Sequence, residues 1–459
     1  MKKNTKSSKI KPAQLVSLNP KCAGIDVGAS ELYVCIAKNP SEQEVRSFTT
    51  FTGDLRRMIS WLKENGVESV AMESTGVYWI VPYEMLDEAE LEVILVNPRF
   101  FKSVPGRKTD VQDCQWIQQL HSYGLMSGSF RPSNDIVELR SYVRQRSRLF
   151  KSGGIQVQLM HKALTQMNIQ LNHVISDITG VTGLNIVRAI LQGERDPKTL
   201  ADLSVGSCRK NIELIKKAME GNFRKEHIFA LDQAYEAYEF FHKQIRSCEK
   251  AIEEILSSMQ LEEQLPIPNS EINVEATHKR LAKKTASNRS PYYFDAPAAI
   301  KKVTIADLTT IPGIDANTAM KILSEIGTDM SQWPNAKAFA SWLGLSPGNK
   351  VSGGKILSSR TKPSDNRAAQ ALRMAAASLY QSKTAIGAFF RRMRARLGAP
   401  KAITAAAHKL ARILYRMLAN GINYREAGEN YYEQQYQERV IANLTKRAKE
   451  LGYTLVPQQ

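Results

Sequence analysis

From Cys22 to about Tyr123, short apolar runs alternate with stretches in which apolar residues recur at helical spacing. This alternation is typical of an α/β domain. The apolar runs predict strands at Cys22–Val27, Glu31–Ala37, Glu44–Phe51, Ser69–Met72 and Glu92–Val96. The helical spacing predicts helices at Leu55–Glu64, Val77–Glu88 and Thr109–Tyr123. Three hairpin-connected strands therefore precede alternating strands and helices.

This order of elements is that of a ribonuclease-H-like domain, which we expect at residues 22–130. The turn residues Gly28-Ala29-Ser30 between the first two strands support a hairpin there. The preceding residues 1–21 are rich in lysine and predict a basic flexible tail.

Heptad-like apolar spacing marks two long segments in the middle of the chain, Pro132–Asn172 and Ile228–Met259. They predict a coiled coil or an antiparallel helical arm that pairs subunits, within residues 131–300. Gly153-Gly154 is expected to interrupt the first of these helices, because glycine weakens a helix interior. Shorter helices are predicted at Asn185–Gln192 and Lys210–Met219, and a polar linker at Ser270–Pro297.

Alanine-rich helical patterns with interleaved arginines fill the C-terminal third. They predict helices at Ala368–Gln381, Ala385–Leu397 and Ala402–Leu418, within a helical domain at 301–425. Residues 426–459 predict a final helix and a free end. The fold class is therefore α/β plus all-α, with a ribonuclease-H-like first domain, a helical coiled-coil middle and a helical C-terminal domain.

The formal net charge of +18 over 459 residues favours a nucleic-acid partner. Neutralising phosphates releases condensed counterions, which drives such binding. The five cysteines form no Cys-x-x-Cys pair, which argues against a disulfide framework or a zinc site. The sequence has no apolar stretch long enough for a membrane span and no signal peptide, so we expect a cytoplasmic protein without a membrane partner.

Four acidic residues lie where a phosphodiester-cleaving site would need carboxylates. Asp26 interrupts the first apolar strand, Glu73 follows the fourth, and Asp110 and Asp113 share one helical face. Carboxylates gathered from strand ends and a helix form an oxygen-lined pocket suited to Mg²⁺. Each residue alone also fits a structural role: Glu73 as a helix cap, Asp110 and Asp113 as acids at a helix N-terminus, and Asp26 as a turn acid.

A glycine-rich basic loop in the C-terminal third is a candidate phosphate-binding loop. Ser352 lies between Lys350 and Lys355 and directly before Gly353-Gly354. From Lys350 to Arg416 the chain has fifteen Lys or Arg residues and one acid, which favours a surface for the phosphate backbone. The predicted nucleic-acid-binding residues are Lys350, Lys355, Arg360, Lys362, Arg391, Arg392, Arg394 and Arg396.

Two other features leave alternatives open. The positive charge over Arg140–Lys151 fits a solvated helical face as well as a rail for nucleic acid. The segment Thr310–Asp315 resembles the hairpin of helix-hairpin-helix modules, whose glycine amides hold a DNA phosphate. Asp315 replaces the second glycine of that hairpin, which favours a helix N-cap instead.

Several segments together resemble the DEDD transposases of bacterial insertion sequences (family one-hundred-and-ten), whose N-terminal domain is similar to the Holliday-junction resolvase RuvC. They are Gly24-Ile25-Asp26-Val27, Glu73-Ser74-Thr75-Gly76-Val77-Tyr78, Val96-Asn97-Pro98 and Lys108-Thr109-Asp110-Val111-Gln112-Asp113. Leu345–Lys355, with Ser358–Lys362, resembles the block that carries the family's serine nucleophile, which aligns with Ser352. The neighbouring Ser346, Ser358 and Ser359 are weaker candidates for that nucleophile. Gly183–Asp202 is similar to members of the eleven-eleven subgroup.

The resemblance implies a DNA transposase or site-specific recombinase that depends on Mg²⁺ (or Mn²⁺). Asp26, Glu73, Asp110 and Asp113 would bind the metal, and Ser352 would attack the scissile phosphate. It also implies double-stranded donor and target DNA, an element-encoded guide RNA, and a homodimer or homotetramer. The alternatives are a RuvC-like endonuclease that forms no covalent intermediate and a non-catalytic nucleic-acid-binding protein.

Overall fold

The computed structural model describes residues 17–39, 42–74, 76–97, 109–259 and 292–456. The chain divides into two compact units, Met1–Arg131 and Pro132–Gln459.

Some sequence predictions fall partly or wholly outside the described residues. The basic tail expected at 1–21 is described only from residue 17, and the linker expected at 270–297 only from residue 292. Thr75, Pro98 and Lys108, which belong to the family-like segments, also lie outside them.

The first unit has a five-stranded mixed sheet with helices on both faces. Its strands are β1 (Cys22–Val27), β2 (Glu31–Asn39), β3 (Glu42–Thr49), β4 (Ser69–Glu73) and β5 (Glu92–Val96). Its helices are α1 (Thr52–Glu64), α2 (Ile80–Glu88) and α3 (Asp110–Ser122). The strand order is β3-β2-β1-β4-β5, with β1 antiparallel to β2 and parallel to β4. The elements confirm the predicted ones to within a few residues, and the fold is consistent with a ribonuclease-H-like domain.

Successive side chains of β1 and β4 point to opposite faces of the sheet. Ile25 joins a core with the apolar sides of α1 and α2, whereas Ala71 of β4 joins a separate core with Ile117 of α3. Asp26 has the opposite parity to Ile25, and Glu73 has the same parity as Ala71. Both carboxylates therefore lie on the face of the sheet that α3 covers.

As far as it is described, the second unit is helical apart from one short strand pair. Its first six helices are α4 (Asn134–Gln166), α5 (Leu171–Val174), α6 (Val181–Leu191), α7 (Pro197–Asp202), α8 (Ile212–Ala218) and α9 (Lys225–Ser258). The rest are α10 (Ala296–Thr304), α11 (Ala316–Ile326), α12 (Ala336–Trp342), α13 (Arg367–Ala377), α14 (Ala385–Leu397), α15 (Ala399–Asn420) and α16 (Gly428–Glu450). Single 3₁₀ turns occupy Gly206–Asn211, Leu308–Thr310 and Ser378–Gln381. The strands β6 (Lys350–Ser352) and β7 (Lys355–Ser358) form an antiparallel hairpin that the sequence analysis did not predict.

α4 and α9 pack side by side as an antiparallel arm about 50 Å long, from the helical rise of about 1.5 Å per residue. An antiparallel helical arm thus forms within a single chain, and its role in pairing subunits stays a prediction. The predicted interruption at Gly153-Gly154 is wrong, because α4 continues through both glycines. Gly153 is buried against α9, where a β-carbon on it would lie 3.6 Å from the β-carbon of Phe241. Packing against α9 therefore outweighs the low helix propensity of the pair.

The two ends of the arm have different surroundings. At one end, the short helices α5 to α8 form a small core with α4 and α9 around Met160, Ile186 and Leu231. Near the other end, α4 packs against α11 of the C-terminal helices. No helix in the described ranges has the length and apolar character needed to cross a membrane.

Candidate active site and nucleic-acid interface

Asp26 reaches its neighbours because β1 and α3 meet at backbone contact. A β-carbon on Gly24 would lie 2.2 Å from the amide nitrogen of Gln118 and 2.5 Å from the carbonyl oxygen of Cys114. Only glycine allows this approach. It brings the strand that carries Asp26 against the helix whose first turn carries Asp110 and Asp113.

The four predicted carboxylates form one electrostatic cluster. Asp26 is half-buried, and its pKa is raised to about 7, with burial as the largest cause. The negative charges of Glu73, Asp110 and Asp113 contribute to this rise, and a hydrogen bond from the backbone of Val27 opposes it. Each of the other three carboxylates therefore acts electrostatically on Asp26, and metal binding by the four stays a prediction.

The cluster has the donor chemistry of a divalent-metal site but not its closed geometry. Among the described residues, no three acidic, histidine or cysteine side chains meet closely enough to hold a metal ion. Four carboxylates without a counter-ion repel one another. Their oxygens are nevertheless the ligands that Mg²⁺ and Mn²⁺ prefer, so the residues fit such an ion.

The structural roles considered for these acids are only partly met. Glu73 does not cap the next helix, because α2 begins after Trp79 and has no side-chain cap. α3 is capped by Thr109, whose hydroxyl accepts a hydrogen bond from the backbone of Gln112. Asp110 and Asp113 do lie in the first turn of α3, where negative charge favours the helix.

Ser352 lies at the tip of the β6–β7 hairpin. It pairs with Lys355 across the two-residue turn Gly353-Gly354, in which both glycines have positive φ (55° and 76°). Turns of this kind match the twist of a hairpin and require glycine-like residues. Ser352, Lys350 and Lys355 are all exposed, and a β-carbon on either turn glycine would have no neighbour within 4 Å in the part of the chain that the structure describes. The serine hydroxyl is therefore accessible to a large substrate.

Below the tip, the next two predicted cations continue the same basic surface. The backbone of Gly348 donates a hydrogen bond to the carbonyl oxygen of Arg360, and Pro347 pairs with Thr361. Arg360 and Lys362 are exposed. The structure thus brings Ser352 together with predicted phosphate-binding cations on one strand pair and its base.

Comparison with protein families shows which family contains both the carboxylate cluster and the Ser352 hairpin. The IS110 DEDD transposase family model matches residues 23–169, which contain all four carboxylates. The model of the transposase IS116/IS110/IS902 family matches residues 306–391, which contain Ser352. The chain belongs to the IS110 family of transposases. Among curated proteins, none matches it significantly.

This transposase is therefore an enzyme that acts on DNA, in transposition or recombination. Its DEDD domain belongs to a family that generally uses divalent metal ions. The membership confirms the resemblance seen in the sequence at the level of the family.

The arginines of α14 are held by contacts within the transposase. Arg391 pairs with Glu429 of α16 and donates to the carbonyl oxygens of Tyr380 and Ser382. Arg392 pairs with Glu433 of α16. Arg394 lies over the ring of Tyr380, 4.2 Å from its centroid, and Arg396 lines a cleft beside α15 and α16. Arg391 and Arg392 thus already have carboxylate partners, and phosphate binding by the four arginines stays a prediction.

The arginines of α4 hold the arm of the transposase. Arg140 donates to the backbone carbonyl oxygens of Ser324 and Glu325, and Arg144 pairs with the Glu325 side chain. Arg146 forms a buried ion pair with Glu249. These three side chains therefore contact other helices of the chain instead of forming a purely solvated face, and nucleic-acid binding by this segment stays a prediction.

The Pro312-Gly313 hairpin packs against α13. A β-carbon on Gly313 would lie 2.7 Å from the carbonyl oxygen of Ala375, so this side of the hairpin is covered. The Asp315 side chain accepts a hydrogen bond of 2.8 Å from the backbone nitrogen of Thr318 and caps α11. The N-cap prediction is confirmed.

Proposed function

We propose that this transposase recombines DNA by serine-based phosphoryl transfer. In this proposal Ser352 is the nucleophile, and Asp26, Glu73, Asp110 and Asp113 hold Mg²⁺ or Mn²⁺. The observation that carries it is the exposed serine at a Gly-Gly turn among cations, in a chain that also gathers four carboxylates.

The residues support defined parts of the reaction. The oxygen of Ser352 forms a bond to the scissile phosphorus, and the bond from phosphorus to one sugar oxygen breaks. The serine loses its proton, and the leaving oxygen gains one. Lys350 and Lys355 flank the serine and favour the phosphate and its developing negative charge.

The carboxylates would provide the metal ligands. A divalent ion bound there would stabilise charge on the phosphoryl group as a Lewis acid. Asp26 would then be ionised, because a cation near a carboxyl group lowers its pKa.

Three further parts of the proposal rest on the family. They are an element-encoded guide RNA, double-stranded donor and target DNA, and a homodimer or homotetramer that binds two duplexes. Ser352 and the carboxylates belong to different units of the chain, which permits their supply by different subunits.

The decisive experiment traps the covalent intermediate. Wild type, Ser352→Ala and Ser359→Ala would be expressed with the complete element, and protein–DNA adducts would be analysed by mass spectrometry of the attached residue. We expect adducts on Ser352 in wild type and Ser359→Ala, and none in Ser352→Ala. Ser359 is an exposed serine of the same segment and serves as the control. DNA cleavage at the wild-type rate by Ser352→Ala would instead support an endonuclease that uses only its carboxylates.

A further inference from the structure

A cleft of about 520 Å³ lies between α14, α15 and α16 in the second unit. Within the described ranges, its lining contains five cationic side chains and no acidic one: Arg392, Arg396, Lys409, Arg412 and Arg439. Tyr432 and Tyr436 of α16 line the same cleft. The C-terminal helix is thus a wall of this cleft.

Lys409 is held inside the cleft among aromatic rings. Its ammonium group lies 4.6 Å from the centroid of Phe389 and 5.2 Å from that of Tyr432. Burial lowers the pKa of Lys409, and Arg439 and Arg412 lower it further, although Glu426 opposes them. A half-buried cation in this position lacks full compensation for its lost hydration.

Arg412 also has an unmet hydrogen-bonding group. Its Nε is buried and has no hydrogen-bond partner among the described residues, whereas most buried donors in proteins have one. Of these five cations, Arg392 forms an ion pair, with Glu433. The described residues provide no ion-pair partner for the other four. The cleft therefore concentrates positive charge that its own walls do not neutralise.

We propose that this cleft binds a phosphodiester group of the nucleic-acid backbone that the transposase engages. The inference rests on the nucleic-acid-binding part of the proposed function and adds a site, formed with α16, whose lining residues differ from those of the Ser352 hairpin. A phosphate is an anion with several acceptor oxygens, and it would neutralise the cluster while accepting hydrogen bonds from arginine and lysine.

The test compares two double variants of the full-length protein. Lys409→Met/Arg439→Gln removes two charges from the cleft. Lys446→Gln/Arg447→Gln removes two charges from exposed positions of α16 that do not line it. Binding would be measured by fluorescence anisotropy on labelled duplex DNA and on duplex RNA of the same sequence, between about 50 and 200 mM salt.

We expect the cleft variant to lose about tenfold or more in affinity for nucleic acid. The slope of log affinity against log salt concentration should fall in magnitude by about one to two, because fewer phosphates are neutralised and fewer counterions are released on binding. The control variant should stay within about twofold of wild type by the same reasoning. Loss on DNA alone assigns the cleft to DNA, and loss on RNA alone assigns it to RNA. The cleft substitutions should cause the same loss of affinity in a Ser352→Ala background, which separates this site from the catalytic proposal.

Equal affinity and equal salt slope for the cleft variant and its control, on both DNA and RNA, would overturn the inference. Arg439→Gln alone, at an exposed position, repeats the test if the double variant folds poorly.

Discussion

Gly24 of β1 and Gln118 of α3 are in backbone contact, so close that a β-carbon on Gly24 would lie 2.2 Å from the Gln118 amide nitrogen. This contact fixes the distance between a strand and a helix that each carry proposed metal ligands. The same β-carbon would lie 2.5 Å from a second backbone atom, the carbonyl oxygen of Cys114. Because both neighbours are backbone atoms, neither can rotate away.

Gly24→Ala should therefore separate β1 from α3. Overpacking in a core usually costs about 1–3 kcal/mol, and we expect a loss of stability at the top of that range. Urea unfolding would measure the stability, and isothermal titration with Mn²⁺ would measure the metal affinity, which should fall as well. Gly53→Ala is the control, because a β-carbon there has no neighbour within 4 Å and alanine favours the helix. Equal stability of Gly24→Ala and wild type would show that this approach does not hold the site together.

The second prediction concerns the carboxylate cluster. Without metal, Asp26→Asn should melt no lower than wild type, because it relieves a half-buried charge among three others. Mg²⁺ should stabilise wild type, by about 2.7 kcal/mol at a hundred times its dissociation constant, but not Asp26→Asn. Glu73→Gln and Asp113→Asn should behave likewise, and all three should lose DNA strand exchange. Thermal melts with Mg²⁺ and with EDTA provide the measurement.

The exposed Glu64 of α1 offers the matched control for that experiment. Glu64→Gln removes a carboxylate outside the cluster and should keep the full response to Mg²⁺. If Mg²⁺ stabilised Asp26→Asn, Glu73→Gln and Asp113→Asn as much as wild type, the metal would bind elsewhere.

The third prediction concerns pH. His121 of α3 is buried, and its Nε2 lies 2.9 Å from the hydroxyl of Ser69 at the start of β4. Burial lowers the pKa of His121, although Glu92 opposes it. The neutral ring therefore contributes stability above its unfolded pKa of about 6.5, and this stability is lost as the pH falls through the lower folded pKa.

Hydrogen exchange of peptides from α3 would report that effect locally. Protection of α3 should decrease between about pH 7 and pH 5, with a slope of at most about 1.4 kcal/mol per pH unit for one proton. His121→Gln should remove most of that dependence. If the variant and wild type lost protection in parallel, another group would be responsible.

The first unit could be predicted from sequence because its determinants are local. Strand and helix periodicity placed the four acids on two strands and one helix, and the structure brings all four into electrostatic range. The role of Gly24 was missed, since nothing in the strand shows that α3 approaches it. The apolar run that predicts β1 would be the same whether or not a helix backbone lay against that strand.

In the second unit, several features depend on contacts between residues far apart in the chain, which the sequence pattern does not reveal. Glu249 is 103 residues from Arg146, so the basic pattern of α4 did not reveal an ion pair. Gly153-Gly154 indicated a helix break because the helix that packs against this pair, α9, is also distant in the chain. The β6–β7 hairpin was missed because Val351, Ile356 and Leu357 are exposed, so no buried face produces an alternating pattern.

The last prediction follows from the ion pair in the arm. Arg146 and Glu249 are 4% and 1% exposed, and their Nε and Oε1 atoms lie 2.6 Å apart. Arg146→Met should destabilise the protein by about 3–5 kcal/mol, because it leaves Glu249 buried without its partner. Arg146→Met/Glu249→Leu should recover most of that loss, since no buried charge remains. Arg148→Met, at an exposed position of the same helix, should change the free energy of unfolding by less than about 0.5 kcal/mol in urea titrations. A double variant as unstable as Arg146→Met would mean that the arm needs the packing of Arg146 on Tyr292, 4.0 Å from the ring centroid, rather than the charge pair.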